Sequence, residues 1–297
     1  MIAVVGSSNI DIVLRVDHFT KPGETQKALN LSFFPGGKGA NQAVTVAKVG
    51  GDGCYFVTCL GNDEYGRILS QNFLKNKIEG FLFADKPTGR AFIEVSKHGE
   101  NKIIIFQGAN ASLTKDRINW EELLKRHILL LQNEIPFETT LECAKKFNGL
   151  VIFDPAPAEG ITEEILPYVD FLTPNEEELK ALSISIFGEF VSIEDSAKNF
   201  LRKGVNNVLV KLGEKGAVLF NEKETLHVPG FKVKTVDTTA AGDVFNGAFA
   251  VALREGKSVE DAILFASAAA AISVTRMGAQ SSIPEIEEIE EFLKVRL

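Results

Sequence analysis

Cysteine is scarce in this sequence, and its placement argues against the common sites built from it. The 297 residues include three cysteines, Cys54, Cys59 and Cys143, and no two of them have the C-x-x-C spacing. An odd number of cysteines without that spacing argues against a disulfide framework and against a zinc site. We therefore expect three reduced cysteines in or near the core.

Long apolar runs and an excess of positive charge are also missing. The longest apolar tract, AILFASAAAAISV, is too short to span a bilayer, and the start, MIAVVGSSNID, lacks the basic leader of a signal peptide. The net charge of −8 disfavours a broad surface for nucleic acid or anionic lipid. We expect a cytoplasmic protein without nucleic-acid or membrane partners, in which backbone dipoles could still form a local anion pocket.

Short, mostly β-branched apolar segments recur along the chain and alternate with helical patterns. One helical pattern ends at Gly50, and another, over 194–203, ends before Gly204, a residue typical of the position after a helix. The alternation predicts an α/β fold of three layers, a mainly parallel sheet with helices on both faces. The strand-like segments are 2–6, 55–60, 150–154, 171–175, 208–213 and 217–220; a terminal amphipathic helix is predicted from Ile286, Ile289, Phe292 and Leu293.

Two early segments, 12–35 and 88–107, read as paired strands without an intervening helix. They predict a small separate sheet that forms a lid over the carboxyl ends of the main strands, where open α/β folds bind ligands. The second segment carries more apolar side chains than a small exposed sheet should tolerate. We expect either a homodimer through the lid or packing of one lid face onto its own domain and substrate.

The stretch VDTTAAGDVFNGAF, residues 236–249, predicts an anion site at the start of a helix. Small residues at 240–242 would leave unpaired backbone N–H groups open to a large anion, and Asp243 would lie in the first helical turn. The alternative is that Asp243 only caps the helix. The apolar positions that give this helix one buried face are Phe245, Ala248, Phe249, Ala252 and Leu253.

A second glycine cluster, FFPGGKGANQAV, occupies residues 33–44 and matches neither the Walker A nor the dinucleotide spacing. Its glycines would let the backbone approach a ligand, while Lys38 and Asn41 could donate to hydroxyl groups, so a polyol suits the site. In GSSNID, Asn9 and Asp11 point to the same side of an extended segment and could bind vicinal hydroxyls. The alternative there is an Asx turn that ends a strand.

Six motifs, GSSNID, GGKGANQA, TPNEEE, VKLGEKGA, DTTAAGD and TRMGAQSS, occur in this order, and together they resemble the ribokinase-like carbohydrate kinases, the phosphofructokinase B family. The resemblance covers residues 1–297 and implies a single kinase domain with the two lid insertions. It implies ATP-dependent phosphorylation of a sugar, with D-ribose and its 5-hydroxyl as the expected acceptor. The alternatives are another sugar or a nucleoside as substrate, or a non-catalytic sugar sensor.

The resemblance also implies roles for individual residues. Asp243 would be the catalytic base that needs no raised pKa, and the backbone of Ala240, Ala241, Gly242 and Asp243 would be the anion hole for the phosphoryl group. Asn175 and Glu178 would place Mg²⁺ and its waters near the phosphates, or simply form an acidic helix start. The implied sugar contacts are Asn9, Asp11, Gly37, Lys38, Asn41, Glu134 and Asp243.

The remaining implied sites are a nucleotide loop and a potassium site. In the loop, Lys211 stands where many relatives carry threonine, and Val244, after the base, is a second departure that we expect to be buried and harmless. The implied nucleotide contacts are Asn175, Lys211, Gly213, Glu214, Gly216 and Gly242. The implied potassium site is formed by Asp237, Thr239, Ser273, Arg276, Gly278 and Ser282.

Overall fold

A nine-stranded sheet organises the molecule, and most of its strands run parallel. The computed structural model describes residues 1–296, so position 297 of the predicted domain lies outside the described residues. The strands are β1 (Ile2–Val5), β2 (Asn9–Arg15), β3 (Asn30–Gly36), β4 (Cys54–Val57), β5 (Cys59–Gly61), β6 (Ile78–Glu79), β7 (Leu82–Ala84), β8 (Gly89–Val95), β9 (Asn101–Phe106), β10 (Ile128–Leu131), β11 (Leu150–Phe153), β12 (Phe171–Leu172), β13 (Asn207–Lys211), β14 (Ala217–Asn221) and β15 (Thr225–Val228). The order across the main sheet is β15-β14-β13-β12-β11-β10-β1-β4-β6, with antiparallel pairing only at β13–β14 and β14–β15.

Helices cover both faces of this sheet, which confirms the predicted three-layer α/β class. Alternate strand residues enter two separate cores, as Val4 and Val5 do on neighbouring positions of β1, because successive side chains of a strand point to opposite faces. The helices are α1 (Lys38–Gly50), α2 (Glu64–Lys75), α3 (Trp120–Leu123), α4 (Phe137–Lys146), α5 (Glu176–Phe187), α6 (Ile193–Arg202), α7 (Ala241–Arg254), α8 (Val259–Ser273) and α9 (Ile286–Arg296). No helix within residues 1–296 has the length and apolar character needed to cross a membrane.

The prediction that helix α7 buries only one face is wrong. Every residue from Asp243 to Ala252 is buried, because α7 packs against both α1 and α8 as well as the sheet. Four of the five apolar positions chosen from the spacing lie in this buried length, and the fifth, Leu253, follows it and is half-buried. Val244 is fully buried, as predicted.

Two predicted strands end earlier than the sequence suggested. The segment 55–60 is divided at Thr58, since β4 joins the main sheet and β5 forms a separate two-stranded sheet with β7. The segment 171–175 ends as a strand at Leu172, because Asn175 caps the following helix. The helical predictions fare better: α1 ends at Gly50, and Gly204 follows the end of α6 with a φ of +102°.

The predicted lid is a four-stranded sheet of order β3-β2-β8-β9. It begins at the carboxyl end of β1, because only three residues separate β1 from β2. Its inner face, with Asp11, Phe34 and Ile93, lines a cavity of about 650 Å³ against the main domain. The outer lid face, defined as Leu31, Phe33, Phe92, Ile104 and Phe106, is exposed.

The three cysteines are free and buried, which confirms the expectation of reduced core residues.

Candidate active site

The turn before α7 leaves several backbone N–H groups without a protein acceptor. Ala240, the residue before the helix, has a φ of +61°, a left-handed conformation that a non-glycine residue adopts only when its surroundings impose it. Within residues 1–296, the amides of Ala240, Gly242 and Asp243 donate to no protein oxygen. Together with the positive end of the helix dipole, they form an anion-binding concavity.

One of the four predicted anion-hole amides is already used. The Ala241 N–H donates to the carbonyl oxygen of Thr238 at 3.2 Å, which closes the turn. The prediction of four free donors is therefore corrected to three, because the turn needs one amide to hold its own shape.

Asp243 is buried in the first turn of α7, and both of its carboxylate oxygens accept a hydrogen bond. Asn41 Nδ2 donates to Oδ2 at 3.0 Å, and Gln42 Nε2 donates to Oδ1 at 3.1 Å. The two amides come from the first turns of α1, which packs against α7. They fix the carboxylate in one orientation and stabilise its ionised form.

Two residues that the sequence analysis did not select extend this network. Gln42 Nε2 also donates to Asp154 Oδ2 at 3.1 Å, and Lys211 Nζ lies 3.2 Å from Asp154 Oδ1. Asp154 directly follows β11, so its position at the carboxyl end of a parallel strand was the available signal. The only indication in the sequence that Gln42 belongs to the site was its position next to Asn41.

Burial changes the acidity of two carboxyl groups in the site. Burial raises the pKa of Asp243 to about 6. The positive charge of Lys38 opposes this increase, and the negative charge of Asp154 adds to it. Burial also raises the pKa of Asp11 to about 7, reinforced by the negative charges of Glu134 and Asp243. We expect Asp243 to need no raised pKa and to stay ionised; burial does raise its pKa, but a pKa of about 6 still leaves the carboxyl group mostly ionised at neutral pH.

Lys38 has the opposite balance of effects. Burial alone would lower its pKa, but the charges of four carboxylates raise the pKa overall. These carboxylates belong to Asp243, Asp154, Glu134 and Glu178. Lys38 therefore stays protonated and lies among the acidic groups of the site.

The glycine cluster at the start of α1 packs closely against the protein's own backbone. A Cβ atom on Gly37 would lie 2.8 Å from the Asn9 nitrogen, and the φ of +91° also requires glycine. A Cβ atom on Gly39 would lie 2.6 Å from the Ser7 nitrogen. These glycines bring the start of α1 against the β1–β2 connection, and the contact of Gly37 with a sugar stays a prediction.

Asn9 and Asp11 lie on β2, with both side chains largely buried. Asn110, which the sequence analysis did not assign to the site, donates from Nδ2 to Asn9 Oδ1 at 2.8 Å and thereby orients the Asn9 amide. The Asp11 carboxylate accepts no hydrogen bond from any residue in the described part of the chain and faces the cavity under the lid. The alternative of an Asx turn that ends a strand does not hold, because β2 begins at Asn9.

Glu134 and Asn41 both have protein partners. Glu134 Oε2 accepts from the Lys38 backbone N–H at 3.0 Å and from the Ser7 hydroxyl, so it fastens the glycine loop, while Oε1 remains free of protein contacts among residues 1–296. Asn41 Oδ1 accepts from Gln280 Nε2 at 3.2 Å. Asn41 therefore positions Asp243 at least as clearly as it offers a donor to a ligand.

A second cavity, of about 260 Å³, lies on the other side of the α7 turn. It reaches Lys211, Gly213, Glu214, Gly216 and Gly242. Gly213 has a φ of +60° and open space around it. Gly216 instead packs closely on the Val228 carbonyl. The two cavities share Thr235 and Thr238, so they meet beside the turn that precedes Asp243.

Asn175 and Glu178 form a reciprocal cap at the start of α5. Asn175 Oδ1 accepts from the Glu178 N–H at 2.8 Å, and Glu178 Oε2 accepts from the Asn175 N–H at 2.9 Å. The alternative, that Asn175 and Glu178 form a helix start, therefore describes these two side chains. Glu178 Oε1 takes no part in the cap and can bind another ligand.

The predicted potassium-site residues fall on two loops that meet. Asp237 accepts from the Thr239 N–H through Oδ1 and from the Gly278 N–H through Oδ2, each at 2.9 Å. The Ser282 hydroxyl is tied to the Ala279 carbonyl, and the Ser273 hydroxyl to that of Ala270. The Arg276 side chain turns away and pairs with Glu288. Residues 1–296 contain no group of three or more His, Cys, Asp or Glu side chains arranged as a metal site.

Comparison with known proteins gives consistent matches over the whole chain. A model of the pfkB family of carbohydrate kinases matches residues 1–286. A ribokinase from Haemophilus influenzae is 40% identical over 99% of this chain and 98% of its own length. The crystal structure of a ribokinase from Thermotoga maritima is 68% identical, with a TM-score of 0.97 and 99% coverage of both chains.

A third relative was solved with both ligands. The structure of Arabidopsis thaliana ribokinase complexed with ribose and ATP is 35% identical to this chain, with a TM-score of 0.87, and covers 99% of this chain and 98% of its own. The sequence motifs, the fold and the matched relatives agree: the chain belongs to the pfkB family of carbohydrate kinases, and within it is a sugar kinase of the ribokinase group.

Proposed function

We propose that the protein transfers the terminal phosphoryl group of ATP to the 5-hydroxyl of D-ribose and releases D-ribose 5-phosphate and ADP. The observation that carries the proposal is the oriented, buried carboxylate of Asp243, next to three free amides at the turn beside which the two cavities meet. One cavity suits the sugar under the lid, and the other suits the nucleotide. The Arabidopsis relative with bound ribose and ATP supports this pairing of ligands.

Asp243 acts as the general base. Its carboxylate accepts the proton of the sugar hydroxyl as the hydroxyl oxygen attacks phosphorus, and Asn41 and Gln42 keep it facing the acceptor. A pKa of about 6 suits this role, because the group is mostly ionised at neutral pH yet accepts a proton more readily than an exposed aspartate would.

The amides of Ala240, Gly242 and Asp243 stabilise the phosphoryl group while it is being transferred. The transition state of phosphoryl transfer is loose and carries its charge on the equatorial oxygens, so oriented N–H donors stabilise it. Each such donor contributes roughly 3 to 4 kcal/mol. Ala240, held in its left-handed conformation, sets the direction of these donors.

In the sugar pocket, Asp11 accepts hydrogen bonds from vicinal hydroxyl groups and Asn9 donates to one of them. The support is the burial of the Asp11 carboxylate without any protein donor in residues 1–296, which leaves its charge uncompensated until a hydroxyl-rich ligand arrives. Lys38, Asn41 and Glu134 Oε1 complete the polar wall, with the Gly37 backbone next to Asn9.

In the nucleotide cavity, the open space around Gly213 and the nearby Glu214 admit the nucleotide. Glu178 Oε1 and Asn175 are suited to hold the waters of a Mg²⁺ ion, which would neutralise charge on the phosphates. The influence of Glu178 on the pKa of Lys38 supports its nearness to the reacting groups.

The Asp237 loop would hold a potassium ion through the Asp237 carboxylate and the Thr239 hydroxyl oxygen, with carbonyl groups at 273, 276 and 278 as the further ligands that the resemblance implies. The ion would fix the geometry of the turn that continues into Ala240. Ser282 fits less well, because its hydroxyl is committed to Ala279. Activity in K⁺ above that in Na⁺ is the expected result.

The test is turnover with D-ribose, fructose and nucleosides in a coupled ADP assay. Ribose should be preferred, while a nucleoside or another sugar would support the alternative within the same family. Absence of turnover with every acceptor would contradict the proposal and favour the non-catalytic sensor.

A further inference from the structure

Gln132 directly follows β10, and its amide side chain is fully buried. Within residues 1–296, its Oε1 atom accepts no hydrogen bond. A buried polar atom without a partner lowers stability, and an apolar side chain of the same shape would avoid that cost. The presence of an amide at this position therefore indicates a role other than filling the core.

The nitrogen of the Gln132 amide, in contrast, has a defined partner. Gln132 Nε2 donates to Gln42 Oε1 at 2.7 Å. The reversed amide would place its oxygen against the oxygen of Gln42, and two acceptors would repel each other. In the observed orientation, Gln132 Oε1 lies beside Gly6, where an added Cβ atom would overlap it. Gln132 is therefore fixed as a donor to Gln42.

Gln42 connects Gln132 to the two buried carboxylates of the site. Its Nε2 atom donates to Asp154 Oδ2 and to Asp243 Oδ1, each at 3.1 Å. Together with the bond from Gln132, these contacts use both N–H groups and the oxygen of the Gln42 amide. Hydrogen bonds in such a chain polarise one another, so the bond from Gln132 makes Gln42 a stronger donor to Asp243. Loss of Gln132 would remove one of the three contacts that hold the Gln42 amide.

Gln132 has no charge of its own with which to act on Asp243. Among the described residues, its side chain makes no hydrogen bond to Asp243 or to any charged residue. The charged side chains around Asp243 therefore stay in place when Gln132 is replaced, and a change in the acidity of Asp243 would report on the Gln42 contact. These side chains are Lys38 of α1, Asp154 after β11, Asp11 of β2, Glu134 after β10 and Lys211 of β13.

We propose that Gln132 is a positioning residue for phosphoryl transfer: it holds the amide of Gln42, and Gln42 holds the carboxylate of Asp243 in the orientation that accepts the sugar proton. This inference rests on the proposed function, because it extends the role of Asp243 as the base. Gln132 touches neither substrate and acts through one intermediate side chain. The competing explanation is that Gln132 only fills space beneath the site.

The test compares Gln132→Met, Gln42→Met and the double variant with the parent protein. Methionine has a similar length and cannot donate from its side chain, so each change removes a hydrogen bond at nearly constant volume. The titration of the Asp243 carboxyl group is followed by NMR of protein labelled with ¹³C-aspartate, and the spectrum of Asp243→Asn identifies the resonance. The kcat and KM for ribose and the melting temperature are measured on the same proteins.

Gln132→Met should raise the pKa of Asp243 by about 0.5 to 1 unit, because a hydrogen bond that favours the ionised form is weakened. At pH 7, kcat should fall about 3- to 10-fold while KM for ribose stays within about 2-fold. The loss should be larger at pH 6, since a raised pKa leaves less of the base ionised there. The double variant should equal Gln42→Met in the pKa of Asp243 and in kcat, because Gln132 has no effect once Gln42 is gone.

Thr140→Val is the matched control. The Thr140 hydroxyl is buried and donates to the backbone carbonyl of Gln132 at 3.4 Å, so its removal disturbs the same place without touching the amide chain. This variant should lower the melting temperature and leave both kcat and the titration of Asp243 unchanged.

A Gln132→Met protein with a lower melting temperature but the parental kcat and the parental titration of Asp243 would overturn the inference and leave Gln132 as a packing residue. Effects of the two methionines that add in the double variant would also overturn it, because Gln132 would then act by a route other than Gln42. If the parent protein phosphorylated no acceptor, the proposed function would fail, while the titration of Asp243 would still decide whether Gln132 acts on it through Gln42.

Discussion

At the scale of single residues, the site depends on amide side chains that orient a carboxylate. Asp243 has one partner on each oxygen, and both partners are neighbours on α1. The amides favour the ionised form while burial opposes it, and burial has the larger effect, since the pKa is raised to about 6. The acidity of Asp243 is therefore set mainly by its enclosure, which outweighs its hydrogen bonds.

The first prediction concerns pH. A protonated Asp243 cannot accept the hydroxyl proton, and Asp11, with a pKa of about 7, loses its charge over a neighbouring range. Both pKa values are raised, so both groups are ionised at high pH and become protonated as the pH falls. We expect kcat/KM to decrease below about pH 7. In a plot of log(kcat/KM) against pH, the slope should approach two near pH 5.

The measurement is kcat/KM for ribose between pH 5 and 9 at constant ionic strength. The two groups interact, so the apparent pKa values belong to the pair. Asp11→Asn should reduce the limiting slope to one. A flat profile down to pH 5 would contradict the assignment of either carboxylate to the reaction.

At the scale of elements, the Asn175–Glu178 pair caps helix α5 and is also the proposed magnesium contact. The cap of α5 uses one oxygen of Glu178 and leaves the other, so capping and the proposed magnesium contact do not compete. A glutamine can replace glutamate in such a capping box, because only a side-chain oxygen is needed.

The second prediction follows from this separation. Glu178→Gln should leave the melting temperature within about 2 °C of the parent, since the cap persists, and should raise the Mg²⁺ concentration needed for half-maximal activity. Thermal unfolding and a Mg²⁺ titration of activity measure the two effects. As a control, Asn175→Ala should lower stability by about 1 kcal/mol. An unchanged Mg²⁺ requirement in Glu178→Gln would restrict Glu178 to capping.

Local signals predicted the elements well where one physical rule decides them. The α1 helix, the start of α7 and the lid strands follow from glycine, apolar spacing and alternation. The single buried face of α7 was wrong, because helix–helix packing on both sides cannot be read from the spacing of one segment. The close packing of Gly37 against Asn9 was not predicted, since the two residues are distant in sequence.

The site residues differ in the same way: those in short motifs were selected from the sequence, and those that depend on contacts between distant segments were not. Asp243, Asn9 and Asp11 stand in short motifs and were selected from them. Asp154 and Gln132 belong to no motif, and Gln132 joins the site only through a hydrogen bond from Nε2 to Gln42 Oε1. Such contacts depend on how separate strands and helices are brought together.

At the scale of the whole molecule, the lid leaves an apolar surface uncovered. In the strand register Phe33, Ile12, Phe92 and Ile104 form one row across the lid, and Ile104 is 71% exposed. The inner face lines the cavity against the main domain, and its packing onto a substrate stays a prediction. The outer lid face remains, and we propose that a second copy of the chain covers it in a homodimer.

The third prediction tests that dimer. Ile104→Lys places a charge on the most exposed side chain of the outer lid face, on the edge strand β9, and should shift the protein from dimer to monomer, because the charge would be buried at the interface. Light scattering coupled to size-exclusion chromatography measures the mass. Lys102→Glu, at the end of the same strand, is a matched control on the lid. A parent protein that is monomeric at micromolar concentration would contradict the proposal.

The central claim, that Asp243 takes the proton of the sugar hydroxyl, is tested most directly by Asp243→Asn. We measure kcat with ribose and ATP alongside ribose affinity by calorimetry, and thermal unfolding confirms that the variant is folded. The account predicts a fall in kcat of about 10²- to 10⁴-fold with ribose affinity nearly unchanged. A folded variant that binds ribose and turns over within about 10-fold of the parent would contradict it.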